Sequence, residues 1–207
     1  MAKTTATRAA TTDAGGLRQR KKRQTRQALQ QAAVQLFGER GPEAVTVDDI
    51  CTRAQVSPRT FFNYFTSKEE VLVPWDPETV DTTPERIAAQ PGPDLPLRAV
   101  HTVLGELIDT AMVGPTWRDQ ARLLRTHPEL LRRVVAASRA LEAALAEGLA
   151  RRLGTGVDEP YVRLLSATAI TAMRIAIQTW QESDSGTDLH DYLDSAFARL
   201  GRGLSPD

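Results

Sequence analysis

The 207-residue chain has only one cysteine, Cys51. A single thiol excludes an intramolecular disulfide framework and is typical of a protein from a reducing compartment. No apolar run approaches the roughly 18 residues that a membrane span needs. The most apolar stretch, residues 167–177, is interrupted by Arg174. The sequence therefore predicts a cytoplasmic protein that does not associate with membranes.

Motifs of catalysis and metal binding are also missing. The sequence has no Cys-Xaa-Xaa-Cys, no histidine pair at metal-ligand spacing, no glycine-rich phosphate loop and no Gly-Xaa-Ser-Xaa-Gly. Its three histidines, His101, His127 and His190, are far apart in the chain. Acid–base catalysis needs positioned partners that this pattern does not supply. We therefore expect no enzyme, metal or cofactor, with an enzyme as a formal alternative.

Net charge is absent from the whole chain but not from its parts. The formal net charge is +0, yet residues 1–68 carry 12 Lys/Arg against 5 Asp/Glu, and residues 69–207 carry 14 against 21. This distribution is expected of a polyanion-binding module attached to a body that does not bind polyanions. The alternative is a solvated basic arm, because blocks of Lys and Arg often bind nothing.

Two short helices joined by a tight turn are predicted in the basic part. The first covers residues 46–54, with Thr46 as its N-cap and acidic residues in its first turn. The second begins at Ser57, a good N-cap, with Pro58 at the first helical position. Such a pair is typical of a helix-turn-helix, whose second helix enters the major groove.

The second of these helices has a core face and an outer face. Phe61 and Phe65 are four residues apart and therefore share the core side. The side chains expected to point away from the core are those of Arg59, Thr60, Phe62, Asn63 and Tyr64. Arginine can bond guanine and asparagine can bond adenine, so this face suits base reading. An ordinary helical hairpin with a polar outer face is the alternative.

A longer amphipathic helix precedes the pair, and a capped helix start follows it at Ser67. Over about residues 22 to 73 the sequence resembles the TetR family of bacterial transcriptional regulators, which implies three helices and then a linking fourth helix. The matching residues are Ala33, Leu36, Phe37, Gly41, Thr46, Val47, Ile50, Ala54, Val56, Ser57, Thr60, Phe61, Tyr64, Phe65, Lys68 and Leu72. The chain departs at Phe62, where tyrosine is frequent, so we expect no hydroxyl contact with phosphate there.

The resemblance implies a ligand-responsive repressor that binds a palindromic double-stranded operator as a homodimer. Arg59 and Asn63 would read bases, and Pro58 would make an apolar contact. Phosphates would be held by Thr46, Ser57, Thr60, Tyr64 and Lys68, and Phe62 belongs to the same predicted DNA-binding set. Two alternatives stay open: a helical ligand-binding or scaffold protein that does not touch DNA, and an effector-independent activator.

Composition divides the chain into four segments. Residues 1–17 have few large apolar side chains, so we expect a disordered arm. The DNA-binding domain with its linking helix is predicted over 18–73 and opens with cations that could reach phosphates or the minor groove: Arg18, Arg20, Lys21, Lys22, Arg23 and Arg26. Prolines interrupt residues 74–96, which predicts a connector with about one helical turn near 85–89. Three roles stay open for this connector: a hinge, a lid or a flexible linker without further function.

Helical spacing of apolar residues continues through residues 97–207, and no strand-like alternation appears anywhere. We therefore predict an all-α protein: an N-terminal three-helix helix-turn-helix domain and a C-terminal helical bundle for ligand binding and dimerisation. The last two helices are unusually apolar for a chain end. The resemblance implies that they pair with the same two helices of a second protomer in a two-fold symmetric interface. The residues expected there are Leu165, Ala169, Ala172, Ala176, Leu189, Tyr192, Leu193, Ala196, Phe197 and Leu200. Alternatively, they close the monomer's own core.

The C-terminal part is also similar, less specifically, to the mycofactocin-type subgroup of TetR regulators, through segments at 123–130, 150–154 and 163–180. This similarity implies a hydrophobic or acyl-CoA-like effector. Ligand pockets are usually apolar with a few polar groups. We expect a wall of Trp75, Met112, Trp117, Met173 and Trp180, with Arg125, Arg174 or His101 as the polar anchor. The alternative is that these side chains are ordinary core residues.

Overall fold

A computed structural model describes residues 6–92, 95–111, 116–183 and 186–203. Within these ranges a few side chains lie outside the description, at residues 6–17, 19, 111, 117, 118, 121, 125, 128, 131 and 133. The chain divides into two compact units, Met1–Leu72 and Val73–Asp207. All regular elements in the described ranges are helical, as the sequence predicts.

The first unit contains three α-helices and a 3-10 helix: α1 (Ala6–Arg40), α2 (Val47–Ala54), α3 (Pro58–Phe62) and the 3-10 helix Lys68–Leu72. One stripe of α1 is buried, through Leu29, Ala32, Ala33, Leu36 and Phe37. The helix stops before Gly41, whose φ of +78° lies in the left-handed region that glycine adopts at low cost.

The structure corrects the prediction of a disordered arm over residues 1–17, because α1 begins at Ala6. Helix formation is cooperative, so a helix nucleated on the buried stripe extends into the preceding alanine-rich segment. The glycines at 15 and 16 oppose this extension by roughly 1 kcal/mol each, which a continuous helix tolerates. Residues 1–5 lie outside the described part of the chain.

The second unit contains six α-helices in its described ranges: α4 (Pro77–Ala89), α5 (Pro96–Ala111), α6 (Thr116–Thr126), α7 (Leu131–Leu153), α8 (Pro160–Glu182) and α9 (Leu189–Gly201). A 3-10 turn, Pro128–Leu130, precedes α7. Helix α7 packs against α4 on one side and α8 on another, and α9 packs against α8 and α5. The core includes Leu104, Leu141 and Leu145, which are fully buried. No helix in the described ranges is both long and apolar enough to span a membrane.

The predicted connector over 74–96 is wrong in its secondary structure, since α4 runs through Pro84. The helix is well started: the side chain of Asp76 accepts a bond from the N–H of Thr79 at 2.8 Å, and Pro77 occupies the first turn. Pro84 costs α4 a backbone hydrogen bond, but the residue is buried, so packing compensates. The predicted linking helix after Ser67 is reduced to the 3-10 helix, which ends before Pro74.

Helix α7 supplies the packing and the cap that α4 requires. Gly148 lets the two helices approach closely, because an added Cβ would lie 2.7 Å from Cβ of Ile87 and 2.9 Å from the carbonyl oxygen of Pro84. The guanidinium of Arg152 donates to the carbonyls of Ile87 at 3.3 Å, Gln90 at 2.6 Å, Pro91 at 3.3 Å and Gly92. A cation bonded to the last carbonyls of a helix stabilises its C-terminus.

Candidate nucleic-acid interface

Helix α2 is fixed by a capping box between Thr46 and Asp49. The hydroxyl of Thr46 accepts from the N–H of Asp49 at 3.1 Å, while the Asp49 carboxylate accepts from the hydroxyl of Thr46 at 2.6 Å and from its N–H at 2.9 Å. The hydroxyl bond, followed by the backbone bond, holds the pKa of Asp49 below its usual value. Both donors of Thr46 are therefore engaged, which leaves neither for the predicted phosphate contact.

A tight turn joins α2 to α3. Gln55 adopts φ 56° and ψ 41°, the left-handed conformation that ends helices, and the N–H of Val56 donates to the carbonyl of Cys51 at 3.0 Å. Cys51 is buried, and burial raises the pKa of its thiol. This position fits the structural role that a buried cysteine usually has.

Two buried phenyl rings hold α3 in place. Phe61 is 0% exposed and Phe65 is 1% exposed, and their ring centroids are 5.5 Å apart. At the start of the helix the side chain of Ser57 accepts from the N–H of Thr60 at 3.1 Å, and Pro58 follows in the first turn. The prediction of a capped helix clamped by Phe61 and Phe65 is confirmed.

The opposite side of α3 presents chemically diverse groups to solvent. Arg59, Phe62 and Asn63 are exposed, and the spacing i, i+3, i+4 places them on one side of the helix. Phe62 is 58% exposed although its ring meets that of Phe61 edge to face, with the centroids 5.4 Å apart. Pro58 and Ser57 are exposed, whereas Thr60 and Tyr64 are half-buried. A guanidinium, an amide and a phenyl ring are thus available together.

Arg26 has a different place from the one that the basic run predicts. Its side chain is 7% exposed, its guanidinium carbon lies 4.4 Å from the ring centroid of Phe65, and its Nη1 donates to the carbonyl of Tyr64 at 3.3 Å. Arg26 therefore holds the residues that follow α3 against α1. Its side chain is not directed outward, where it would be available to a phosphate. The signal is visible in the sequence, because Arg26 precedes Leu29 by three residues and so continues the buried stripe of α1.

Lys68 contacts backbone carbonyls within the first unit. Its Nζ donates to the carbonyls of Pro42 at 2.7 Å, Val45 at 2.8 Å and Glu43 at 3.4 Å, all in the loop between α1 and α2. An ammonium group has three donors. All three are directed at backbone oxygens in this structure, so Lys68 fixes this loop. Nothing in the local sequence pattern indicates so distant a set of partners.

The geometry of the first unit defines a class of protein. A three-helix unit whose capped third helix, α3, is anchored by aromatic rings and offers an arginine and an asparagine to solvent is a helix-turn-helix DNA-binding module.

The comparisons with known proteins identify the family within this class. Residues 29–73 match the family described as bacterial regulatory proteins, tetR family, and residues 85–205 match the MftR C-terminal domain. The chain is 32% identical over 200 residues to the HTH-type transcriptional regulator TcmR of Streptomyces glaucescens, a match that covers 93% of this chain and 88% of that protein. The protein belongs to the TetR family and is a DNA-binding transcriptional regulator.

Solved structures agree with this assignment. The TetR-family repressor FadR of Thermus thermophilus, in complex with lauroyl-CoA, matches with 27% identity and a TM-score of 0.50 over 88% of this chain and 96% of that one. A TetR-family regulator of Mesorhizobium loti matches with 17% identity and a TM-score of 0.53 over 88% and 97%, which shows the shared fold alone. These relatives are regulators and not enzymes.

Five of the eight predicted pocket residues have described side chains. Met112 and the side chains of Trp117 and Arg125 lie outside the described residues. Trp75 and Met173 are buried in the core of the second unit, Trp180 is half-buried against it, and Arg174 is exposed.

His101, a predicted polar anchor, is already engaged. Its Nε2 lies 2.8 Å from the Asp194 carboxylate, and its ring stacks on that of Phe197 with the centroids 4.8 Å apart. A second such pair, His190 to Asp109 at 2.7 Å, joins the same two helices in the opposite sense. Two of the three histidines thus connect α5 to α9.

A groove of about 680 Å³ between α7 and α8 is a separate feature of the second unit. It is lined by Arg139, Glu142, Ala143, Ala146, Pro160, Arg163, Leu164, Ser166 and Ala167. None of the five predicted pocket residues with described side chains is among them. The groove combines charges of both signs with small apolar side chains and one large exposed side chain, Leu164.

The predicted dimer residues need a correction too. Most are buried in the unit's own core: Leu165, Ala169, Ala172, Ala176, Leu189, Leu193 and Phe197. The remaining three, Tyr192, Ala196 and Leu200, are half-buried against that core. The alternative that these residues close the monomer's own core fits the structure.

The apolar residues that α8 does expose are Tyr161, Leu164 and Ile175, at 49%, 67% and 49%. They are separated by Thr168 and Thr171, so their stripe is not apparent from hydropathy.

Proposed function

We propose that this regulator is a ligand-responsive repressor that binds a palindromic operator as a homodimer. The observation that carries the proposal is the outer side of α3, where Arg59, Phe62 and Asn63 are exposed together while Phe61 and Phe65 are buried beneath them. This arrangement suits a helix placed in the major groove.

In this proposal Arg59 reads a guanine and Asn63 reads an adenine, each bidentate contact contributing roughly 1–3 kcal/mol of discrimination. Pro58 and Phe62 supply apolar contacts, for which the thymine methyl group is the natural partner. Ser57, Thr60 and Tyr64 hold phosphates at the edge of the groove. Thr46 and Lys68 are left out because their donors are engaged within the protein.

The exposed stripe of α8 supports the homodimer. Tyr161, Leu164, Thr168, Thr171 and Ile175 follow the alternating three- and four-residue spacing of helices that pair along a seam. The stripe continues into the groove beside α7, where Arg163 and Glu142 provide opposite charges. A two-fold axis brings the same patch of both copies together, so one protomer's arginine can meet the other's glutamate.

The dimer is tested by Leu164→Glu, with Val135→Glu on α7 as a matched control because Val135 is also about half exposed, at 49%. We expect light scattering at micromolar concentration to give a dimer for the wild type and for the control, but a monomer for Leu164→Glu. A wild-type monomer would contradict the proposed homodimer.

For the effector we propose an acyl-CoA-like molecule, supported by the lauroyl-CoA complex of the FadR relative and by the apolar core of the second unit. Nearly complete release of DNA requires the effector to prefer the non-binding conformer by about 10⁴-fold, or roughly 5.5 kcal/mol. Lauroyl-CoA should release bound operator, whereas coenzyme A alone should not. Equal release by both would exclude recognition of the acyl chain.

Selection of bound duplexes from a random pool tests the proposal as a whole. We expect an inverted repeat whose half-sites lie about 34–36 Å apart or a multiple of that. A reporter under such a site should be expressed more when the protein is absent. A selected pool without symmetry would contradict the dimeric operator, and lower expression without the protein would contradict repression.

A further inference from the structure

Two histidine–aspartate pairs join helix α5 to helix α9. The Nε2 atom of His101 lies 2.8 Å from the carboxylate of Asp194, and that of His190 lies 2.7 Å from the carboxylate of Asp109. Each helix therefore supplies one imidazole and one carboxylate. His101 precedes Asp109 by about two turns on α5, and His190 precedes Asp194 by about one turn on α9. The pairs thus connect the two helices at separate points.

Packing holds both imidazole rings in these positions. The ring of His101 stacks on Phe197, with the centroids 4.8 Å apart and the planes inclined by 30°. The ring of His190 lies against Gly105, because a Cβ added there would be 3.7 Å from its Cε1. Both histidine side chains stay partly exposed, at 30% and 39%. Protons therefore reach the two rings from solvent without a rearrangement of the core.

The charges on α5 and α9 around the two rings are mostly negative. The carboxylates within about two turns of a histidine are Glu106, Asp109, Asp188, Asp191 and Asp194. The cations of the same helices that come nearest in sequence are Arg98 and Arg199. At the start of α9 the helix dipole disfavours a cation. The N-cap carboxylate of Asp188, which accepts from the N–H of His190 at 2.8 Å, offsets this effect.

The neighbouring helices add few charges. Helix α4 presents Arg86, which is paired with Glu106 of α5. Helix α8 carries Arg163, Arg174 and Glu182, and none of these is paired with either histidine in the described structure. Helix α7 meets α5 within the apolar core. The two aspartates are therefore the principal partners of the imidazoles.

The strength of a histidine–aspartate contact depends on protonation. Imidazole is the side chain whose charge changes between about pH 5 and 8, whereas carboxylates remain ionised over that range. A neutral imidazole donates an ordinary hydrogen bond to a carboxylate, and a protonated one adds the attraction of opposite charges. Protonation therefore strengthens such a contact without changing its partners.

We propose that the pairs His101–Asp194 and His190–Asp109 form a proton-sensitive clasp that docks α9 more tightly when both imidazoles are protonated. The added stabilisation is present below about pH 6.5 and is lost as the pH rises toward 8. Because α9 also packs against α8, the clasp acts on the helix that carries the exposed stripe. The inference depends on neither DNA binding nor an effector.

Hydrogen exchange in α9 tests the clasp in the intact wild-type chain. Exchange is followed by mass spectrometry at pH 6 and pH 8 and is corrected for the intrinsic rate, so that it reports how often α9 opens. The opening constant should be about two- to tenfold smaller at pH 6, since an exposed pair contributes at most about fivefold. An opening constant that is the same at both pH values would overturn the proposal.

Substitutions of the histidines separate the clasp from other titrating groups. His101→Gln/His190→Gln keeps a side-chain donor at both positions but cannot be protonated, so the opening of α9 should no longer depend on pH. The matched control is His127→Gln, because His127 pairs with Glu129 within the segment between α6 and α7. The control should respond as the wild type does. A response that persists in the double variant, or that disappears in the control, would contradict the clasp.

Exchanging the members of one pair distinguishes the ion pair from the packing of the ring. His190→Asp/Asp109→His restores an imidazole and a carboxylate and places each at the helix end that its charge favours. The single variant His190→Gln should lose about half of the pH response, and the exchange should recover it. An exchange variant that responds no better than His190→Gln would show that the pair is not the source of the response and would overturn the proposal.

Discussion

The two units use their side chains differently. In the first unit the buried residues hold the helices together, and the residues that we propose to read DNA bases lie on the surface of α3. In the second unit the most apolar helices are turned inward, and the features left outside are the α8 stripe and the groove beside α7. A pattern of apolar residues therefore indicates packing in both units, whereas function follows from what the packing leaves exposed.

Replacing Phe61 should break this division most severely. Phe61→Ala removes a fully buried ring from the base of α3, and such truncations cost about 3–5 kcal/mol. We expect the first unit to lose most of its stability and its DNA binding. The neighbouring Phe62→Ala should change the free energy of unfolding by less than about 0.5 kcal/mol while weakening DNA binding. Chemical denaturation and a gel shift measure the two effects, and equal destabilisation would contradict the assigned faces.

Within the second unit the sharpest test is the contact between α4 and α7. Gly148→Ala places a methyl group 2.9 Å from the carbonyl oxygen of Pro84, and overpacking of this kind costs about 1–3 kcal/mol. The loss should exceed the gain of about 1 kcal/mol from the better helix propensity of alanine. Gly156→Ala is the control, because nothing lies within 4 Å of its added Cβ. A Gly148 variant as stable as this control would show that α4 can shift at no cost.

Lys68→Met distinguishes a structural cation from a phosphate ligand. Removing the ammonium leaves the carbonyls of Pro42 and Val45 without their donor, which should cost about 1–3 kcal/mol of stability. At temperatures where the variant is folded, the salt dependence of DNA binding should match that of the wild type. A slope weaker by about 0.9 would instead restore the phosphate contact.

The smallest expected effect concerns acid stability. The pKa of Asp49 is lowered by the hydroxyl and N–H of Thr46, so its contribution is present above the unfolded pKa of about 3.9 and disappears as the pH falls through the lower folded value. Asp49→Asn should therefore flatten the fall in stability of the first unit below about pH 5. In the second unit the pKa of Glu85 is lowered by Arg151, so its acid response should be unaffected by this substitution. If Asp49→Asn left the fall in stability of the first unit below about pH 5 unchanged, the capping box would not be the cause of that fall.

Much of the first unit can be predicted because its signals are local. Ser57, Pro58 and the spacing of Phe61 and Phe65 act within two turns of chain, and the structure reproduces all of them. Contacts distant in sequence escape this reasoning. Lys68 bonds carbonyls more than twenty residues away, and Arg26 reaches Tyr64 across 38 residues.

The errors in the second unit have the same origin. Prolines in 74–96 suggest an irregular segment, yet α4 survives Pro84 because Gly148 and Arg152 of α7 pack against it and cap it. The particular apolar residues of α8 and α9 predicted to form an interface lie in or against the core of their own unit, and α8 exposes a different stripe. Which neighbour covers a helix face is a tertiary property that periodicity does not encode.

The central claim is that α3 reads bases through its exposed guanidinium, and Arg59→Ala tests it most directly. Affinity for the selected operator and for random duplex is measured at the same salt concentration. We predict that operator affinity falls by roughly 1–3 kcal/mol per half-site while random binding changes much less, so the ratio of the two decreases. An unchanged ratio would show that Arg59 does not read bases and would contradict the account.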